Sequence, residues 1–342
     1  MNKISFIIKR VFDMNYKDML ASVSRMHKRS GKNRVGLFVD MIYCGWKYGA
    51  GYRDYEYFEF WLMNGAERST YVTRTANNLI MAKLNSKEYY HCLNDKVDFN
   101  TKYNEFLKRD WLDFRTATKE DFLKFIDGKE AIIVKPIDAC CGVGVEKWKT
   151  ADFENYDQMY QRLTETPSAQ LLEDYVRQHP DMMKLSPHSV NTVRVTTVLK
   201  DGEVHILYAI VRIGNNGKVV DNINNGGMFA PVDLDTGVVT MGAGDKENII
   251  YEEHPMTGTP IKGFVIPYWR ESLEMCKKAA LVTPQIRYSG WDVAICEDGP
   301  LFIEANHLPG YDGFQIPSSR LEKKCGMLPR MKEILGDEVV LK

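Results

Sequence analysis

The stretch Gly290-Trp-Asp-Val-Ala-Ile-Cys-Glu-Asp-Gly-Pro-Leu-Phe-Ile-Glu-Ala-Asn306 reads as two apolar runs around an acidic turn that ends in glycine. Trp291 to Cys296 and Leu301 to Asn306 have the length and composition of adjacent antiparallel strands. Glu304 and Asn306 are two residues apart, so on a strand both project from one face. Where Asp292 falls depends on the turn. A two-residue Asp298-Gly299 turn pairs Asp292 with Ala305 and leaves Asp292 and Glu304 on opposite faces. A three-residue loop, Glu297 to Gly299 with Gly299 left-handed, sets Asp292 opposite Glu304. That register gathers three oxygen-bearing side chains at one point. Such a hard-oxygen set suits Mg2+, which keeps water and phosphate oxygens among its ligands. An ordinary hairpin with a solvated polar edge is the competing reading.

Upstream, Val193 to Leu199 and Val204 to Val211 form a second hairpin pattern around Asp201-Gly202, a pair that supplies the positive φ of a tight turn. Arg194 and Arg212 interrupt these apolar strands. A guanidinium in such a place needs an anionic partner, either a structural carboxylate or a substrate. Trp269, Leu273, Cys276 and Ala280 mark one amphipathic helix. Further back, Thr118 and Asp121 make a capping box before Phe122 to Ile126. Ala131 to Val134 is then a short strand that delivers Lys135-Pro136 into the loop Cys140 to Val145. There Lys135 meets a polyanion, with the Gly142 and Gly144 amides near phosphate oxygens, or else snorkels from a strand end. A helix from Asp152 to Leu163 and a strand from Ala169 to Val176 complete a small α+β unit. The first 90 residues are helical and aromatic, with Tyr55, Phe58 and Leu62 on one face, and lack the strand-turn-helix alternation of a dinucleotide-binding domain.

The 342 residues balance 45 Lys and Arg against 46 Asp and Glu, so no global field points to nucleic acid as a partner. Charge is uneven, however. Residues 1–34 carry nine cations (Lys3, Lys9, Arg10, Lys17, Arg25, Lys28, Arg29, Lys32, Arg34) and two acids (Asp13, Asp18), which leaves the remainder at −8. That opening segment is read first as a solvated helix face and second as a contact with an anionic acceptor or the inner face of a membrane. Seven scattered cysteines without metal spacing read as reduced thiols of a cytoplasmic protein. Phosphate-loop, dinucleotide-fingerprint, zincin and nucleophile-elbow motifs are absent from the sequence.

Taken in order, Asn94-Asp-Lys96, Ile133-Val-Lys135-Pro136 with Cys141-Gly-Val-Gly144, Leu172-Glu-Asp-Tyr-Val176, Ser189-Val-Asn-Thr-Val-Arg-Val195, Asp221-Asn222 through Gly226-Gly227, and the 290–306 hairpin resemble the ATP-grasp superfamily. They look most like its sugar-transfer-associated branch. The resemblance spans about residues 50 to 320 and implies an α+β fold in which two lobes clasp ATP. The expected division is a helical region at 1–92, a small lobe at 93–180 and a C-terminal lobe at 181–342.

The resemblance also implies residue roles. Lys96 and Lys135 would meet the α and β phosphates under a lid at 140–145 that includes Gly142 and Gly144. Glu173 would lie at the adenine hinge, with the Asp174 carbonyl and Val176 amide on the base rim, and Asp181 would bind ribose. Asn222 would reach the phosphates. Arg194 and Arg212 would be catalytic cations near the γ-phosphate or the acceptor, with Lys135 also catalytic, and Asp292, Glu304 and Asn306 would hold Mg2+. The implied activity joins a small-molecule or saccharide carboxylate to an amine through an acyl phosphate, in surface polysaccharide or sugar-nucleotide modification. A sugar kinase on the same site, or a non-catalytic nucleotide-binding module of a glycosyltransferase assembly, are the alternatives.

Overall fold

The computed structural model describes residues 15–137, 142–215, 217, 221, 226–247, 249–317 and 324–339. Five helices open it: α1 Tyr16–Ser30, α2 Arg34–Tyr48, α3 Tyr52–Tyr57, α4 Gly65–Arg68 and α5 Arg74–Leu84. Asn15 and Asn33 cap the first two through their side-chain oxygens, and Gly31 and Gly49 end them in the left-handed conformation that glycine tolerates. Three short helices follow, α6 His91–Asn94, α7 Lys96–Lys102 and α8 Asn104–Leu107.

The small unit comprises β1 Trp111–Asp113, α9 Lys119–Ile126, β2 Ala131–Lys135, β3 Glu146–Lys149, α10 Tyr156–Thr164 and β4 Leu171–Asp174. Its four strands form an antiparallel sheet in the order β1-β4-β2-β3. The expected capping box at Thr118 and Asp121 is present and starts α9. Alternation along β2 turns Ile132 and Val134 onto the helix-covered face, where they pack with Phe122, Ile126, Met159 and Leu163.

The large unit holds α11 Pro180–Leu185, β5 Thr192–Lys200, β6 Glu203–Ile213, β7 Met228–Val232, β8 Ala243–Gly244, β9 Ile250–Tyr251, α12 Trp269–Ala280, β10 Tyr288–Cys296, β11 Gly299–Asn306 and α13 Leu328–Leu335. Seven strands pair antiparallel in the order β11-β10-β5-β6-β7-β8-β9. Both faces are covered. On one, Val198, Leu207, Tyr208, Phe229 and Tyr288 pack with the N-terminal helices and α13. On the other, Val193, Val195, Val211, Trp291 and Phe302 pack with α12 and with Leu93, Phe99, Tyr103 and Leu107. Leu93, Phe99, Tyr103, Phe106 and Leu107 thus pack in the core of the large sheet, while Lys96 and Asn100 from the same stretch bond to the small unit.

Turn geometry corrects one expectation in detail. Cys296 pairs with Gly299, so Glu297-Asp298 is a two-residue turn, and Gly299 has φ +104°. Val293 then faces Phe302, but the next pair is Asp292 with Glu304. A bulge at Ile303, and not a three-residue loop, brings the two acids onto one face.

Candidate active site

A cavity of about 1240 Å³ opens where the two sheets and the N-terminal helices meet. Lys96, Asn100 and Lys135 line one side, Arg194, Arg212, Asp221, Glu304 and Asn306 another, and Asp54, Tyr57, Arg74 and the loop 307–314 complete the wall.

The arginines are fixed from below. Arg194 stands opposite Asp292 on the neighbouring strand and binds its carboxylate through Nε and Nη2, while Arg212 reaches the same carboxylate at 2.7 Å and Asp221 at 3.1 Å. Burial alone would raise the Asp292 pKa, but Arg194 and then Arg212 hold it below the usual carboxylate range. Asp221 is also buried, and burial, opposed by Arg212, pushes its carboxyl up. Thr192 donates to it through its backbone amide and its hydroxyl. The result is two cations whose positions are set before any ligand arrives, the condition under which fixed charge is most effective.

On the opposite side, the Lys135 ammonium meets the Glu173 carboxylate at 2.7 Å, Arg109 reaches it at 3.1 Å and the Asn100 amide donates to it at 2.8 Å. Desolvation works against this buried carboxylate, yet Arg109 and Lys135 bring its pKa down to about 2. Arg109 also donates to the Phe302 and Ile303 carbonyls beside the β11 bulge, so one side chain joins the small sheet to the strand that carries Glu304. Lys96 donates to the Pro136 and Ile137 carbonyls at 3.0 and 2.7 Å, which ties α7 to the end of β2.

Glu304 and Asn306 face the cavity. The Glu304 carboxyl is raised by burial and by Asp292 beside it, against the pull of Arg194 and Arg212. The Asn306 amide donates weakly to Glu304 at 3.5 Å, which leaves its carbonyl oxygen available. Glu304 and Asn306 thus present two hard oxygen donors of the kind Mg2+ takes. Asp292 is only 2% exposed and lies beneath the arginines, which occupy both its oxygens. Among the described residues no group of three His, Cys, Asp or Glu side chains is placed to hold a metal.

Other expected residues fall elsewhere. Asn222 and residues 138–141 lie outside the described residues, as do residues 1–14. Gly142 and Gly144 form a turn between β2 and β3 with φ +74° and +72°. Glu173, Asp174 and Val176 are on or just after β4, behind the cavity wall; Asp174 pairs with Lys129, and Val176 packs against Ala294 and Leu301. Asp181 opens α11, exposed and paired with Lys184, and does not line the cavity. Sequence reading missed Arg109 and Asn100, and took Asp221 only as part of a motif, without a role. Arg109 sits in the charged run Lys108-Arg-Asp110, which looks like solvent-facing surface, and nothing local distinguishes it.

No curated protein matches this sequence. Among solved structures, an ATP-grasp ligase, PsnB, complexed with a precursor peptide and AMPPNP shares 14% identity over 75% of this chain and 62% of its own, with a TM-score of 0.43. N5-carboxyaminoimidazole ribonucleotide synthetase from Thermotoga maritima shares 10% over 72% and 49%, with a TM-score of 0.40. D-alanyl-alanine synthetase A from Vibrio cholerae shares 14% over 72% and 64%, with a TM-score of 0.39. The chain thus spans less than two thirds of the length of each. A profile described as sugar-transfer associated ATP-grasp matches residues 75–334 and takes in both sheets, both lysines and the Asp292 to Asn306 hairpin. The chain belongs to the sugar-transfer associated ATP-grasp family.

Proposed function

We propose that the chain is an ATP- and Mg2+-dependent ligase that activates a carboxylate as its acyl phosphate and passes the acyl group to an amine, in surface polysaccharide or sugar-nucleotide modification. The observation that carries this reading is the single cavity that places Lys96 and Lys135 across from Arg194, Arg212, Glu304 and Asn306. At about 1240 Å³ it exceeds the roughly 300–1,000 Å³ of a typical small-molecule site, so a nucleotide and an acceptor fit together.

In this reaction a carboxylate oxygen attacks the terminal phosphorus of ATP, the bond to the ADP oxygen breaks, and an acyl phosphate remains. The amine nitrogen then attacks the acyl carbon, phosphate leaves, and the nitrogen gives up a proton to solvent. Attack brings two anions together, so the chief task is neutralisation and positioning. Lys96 and Lys135 would take the inner phosphates, which requires Lys135 to share its ammonium with Glu173. Arg194 and Arg212 would face the transferring group as cations already locked on Asp292. Glu304 and Asn306 would supply the oxygens for Mg2+, and Asp292 would join them only by sharing an oxygen with a guanidinium. Bound there, the ion would neutralise charge on the phosphate oxygens as a Lewis acid. No acid-base side chain is demanded by either step.

Incubation with Mg-ATP and panels of uronic or other sugar acids paired with amines, read by product mass, tests the reading. An amide formed with one ADP is expected. A product that gains a phosphate identifies a kinase instead, and nucleotide binding without any product identifies a binding module; either result overturns the ligase.

A further inference from the structure

Helix α2 is apolar on both sides. Leu37, Met41 and Cys44 are buried against the N-terminal core, as expected of an amphipathic helix. The opposite face is also apolar: Val35, Val39, Ile42 and Trp46 are 71%, 60%, 48% and 77% exposed. Their spacing of four, three and four residues draws one stripe along the helix, and Tyr43 stands exposed beside it. Isolated exposed apolar residues are ordinary, but a stripe that runs the length of a helix marks a surface that another phase or molecule covers.

The charge around the stripe selects the occupant. The one acid of α2, Asp40, is spent on Arg68, at 2.8 and 2.7 Å, and on the Tyr55 hydroxyl at 2.6 Å. Lys47 stays on the stripe's border, above the rings of Tyr43 and Tyr48. Lys28 at the end of α1 and Arg34 at the start of α2 are exposed and, among the described residues, have no side-chain partner. An apolar stripe with Trp and Tyr, with cations near it and its helix's one acid neutralised by Arg68, is complementary to the interface of an anionic bilayer, where indole and phenol rings sit at headgroup depth and Lys and Arg meet lipid phosphates.

We propose that the exposed face of α2 docks the protein on an anionic membrane surface, with Val35, Val39, Ile42 and Trp46 in the headgroup region and Lys28, Arg34 and Lys47 on lipid phosphates. This docking does not depend on the reaction proposed for the cavity. Co-sedimentation of the full chain with vesicles tests it. The protein is expected to pellet with phosphatidylcholine containing about one-third phosphatidylglycerol, not with phosphatidylcholine alone, and to be released by about 0.5 M salt. Val39→Ser with Trp46→Ser should lower the partition coefficient at least about tenfold, and Lys28→Glu with Arg34→Glu should do so on anionic vesicles, without moving the thermal midpoint. Failure of the wild type to pellet would overturn the proposal, as would unchanged pelleting of the Val39→Ser, Trp46→Ser variant. Concentration-dependent self-association that this same variant abolishes would instead identify the stripe as a dimer face, and would overturn it too.

Discussion

Glu173 carries more of the active-site architecture than its place in an apparently ordinary strand suggests. It is 4% exposed and receives Lys135, Arg109 and Asn100 at once. Glu173→Gln leaves two buried cations without a counter-charge, a change that costs about 3–5 kcal/mol where one partner of a buried pair is removed. Denaturant unfolding at neutral pH should show that loss. The pH dependence has a definite sign. Glu173 is depressed from 4.5 to about 2, so its contribution is complete above 4.5 and is lost as pH falls toward 2. The gap between wild type and Glu173→Gln should therefore narrow over that interval, and a gap that stays constant would remove Glu173 as its source. The sequence resemblance pointed to Glu173 as a hinge residue, and Lys135 was legible because it ends an apolar strand. Their pairing was not legible, because it is a direct contact between residues far apart in sequence on neighbouring strands, and Arg109, which joins Glu173 beside it, looks solvated in its own sequence surroundings.

At the level of elements, local chemistry was readable wherever it is enforced locally. The Asp201-Gly202 turn has φ +50° and +83°, as the hairpin requires. Thr118 caps α9, and its partner Asp121 returns the bond to the Thr118 amide at 2.9 Å. Thr118→Ala should cost about 1 kcal/mol, within the 0.5–2 kcal/mol typical of lost caps, and should melt or expose α9 before the large sheet. Hydrogen exchange over 119–126 would show it; unchanged protection there would deny the cap that role. The β10–β11 hairpin marks the limit of such reading. Facing of Asp292 and Glu304 was one of two registers open in the sequence, and there it required a longer turn. The bulge at Ile303 leaves no mark in composition, and the contacts made there are tertiary: Arg109 donates to the carbonyls of Phe302 and Ile303 from across the interface.

For the molecule as a whole, the helical N-terminal region is part of the large unit and not an appendage. Asn85 donates to the Tyr288 and His307 carbonyls at 2.7 and 3.0 Å and accepts from the Tyr288 amide at 2.8 Å, while Tyr311 donates to buried Asp54 at 2.6 Å. These bonds place Asp54, Tyr57 and Arg74 on the cavity wall. Sequence patterning showed helices there but not their destination, because an apolar stripe says that a face is buried and not against what. Among the described residues no helix is long and apolar enough to cross a membrane. Whether this cavity uses ATP to activate a carboxylate is decided by hydroxylamine, which captures an acyl phosphate without knowledge of the natural amine. With Mg-ATP, hydroxylamine and a panel of sugar acids, the wild type should release ADP and acyl hydroxamate in equal amounts, and Glu304→Gln should lower both by orders of magnitude while remaining folded. ADP release with no hydroxamate for any acid, or full activity in Glu304→Gln, would contradict the account.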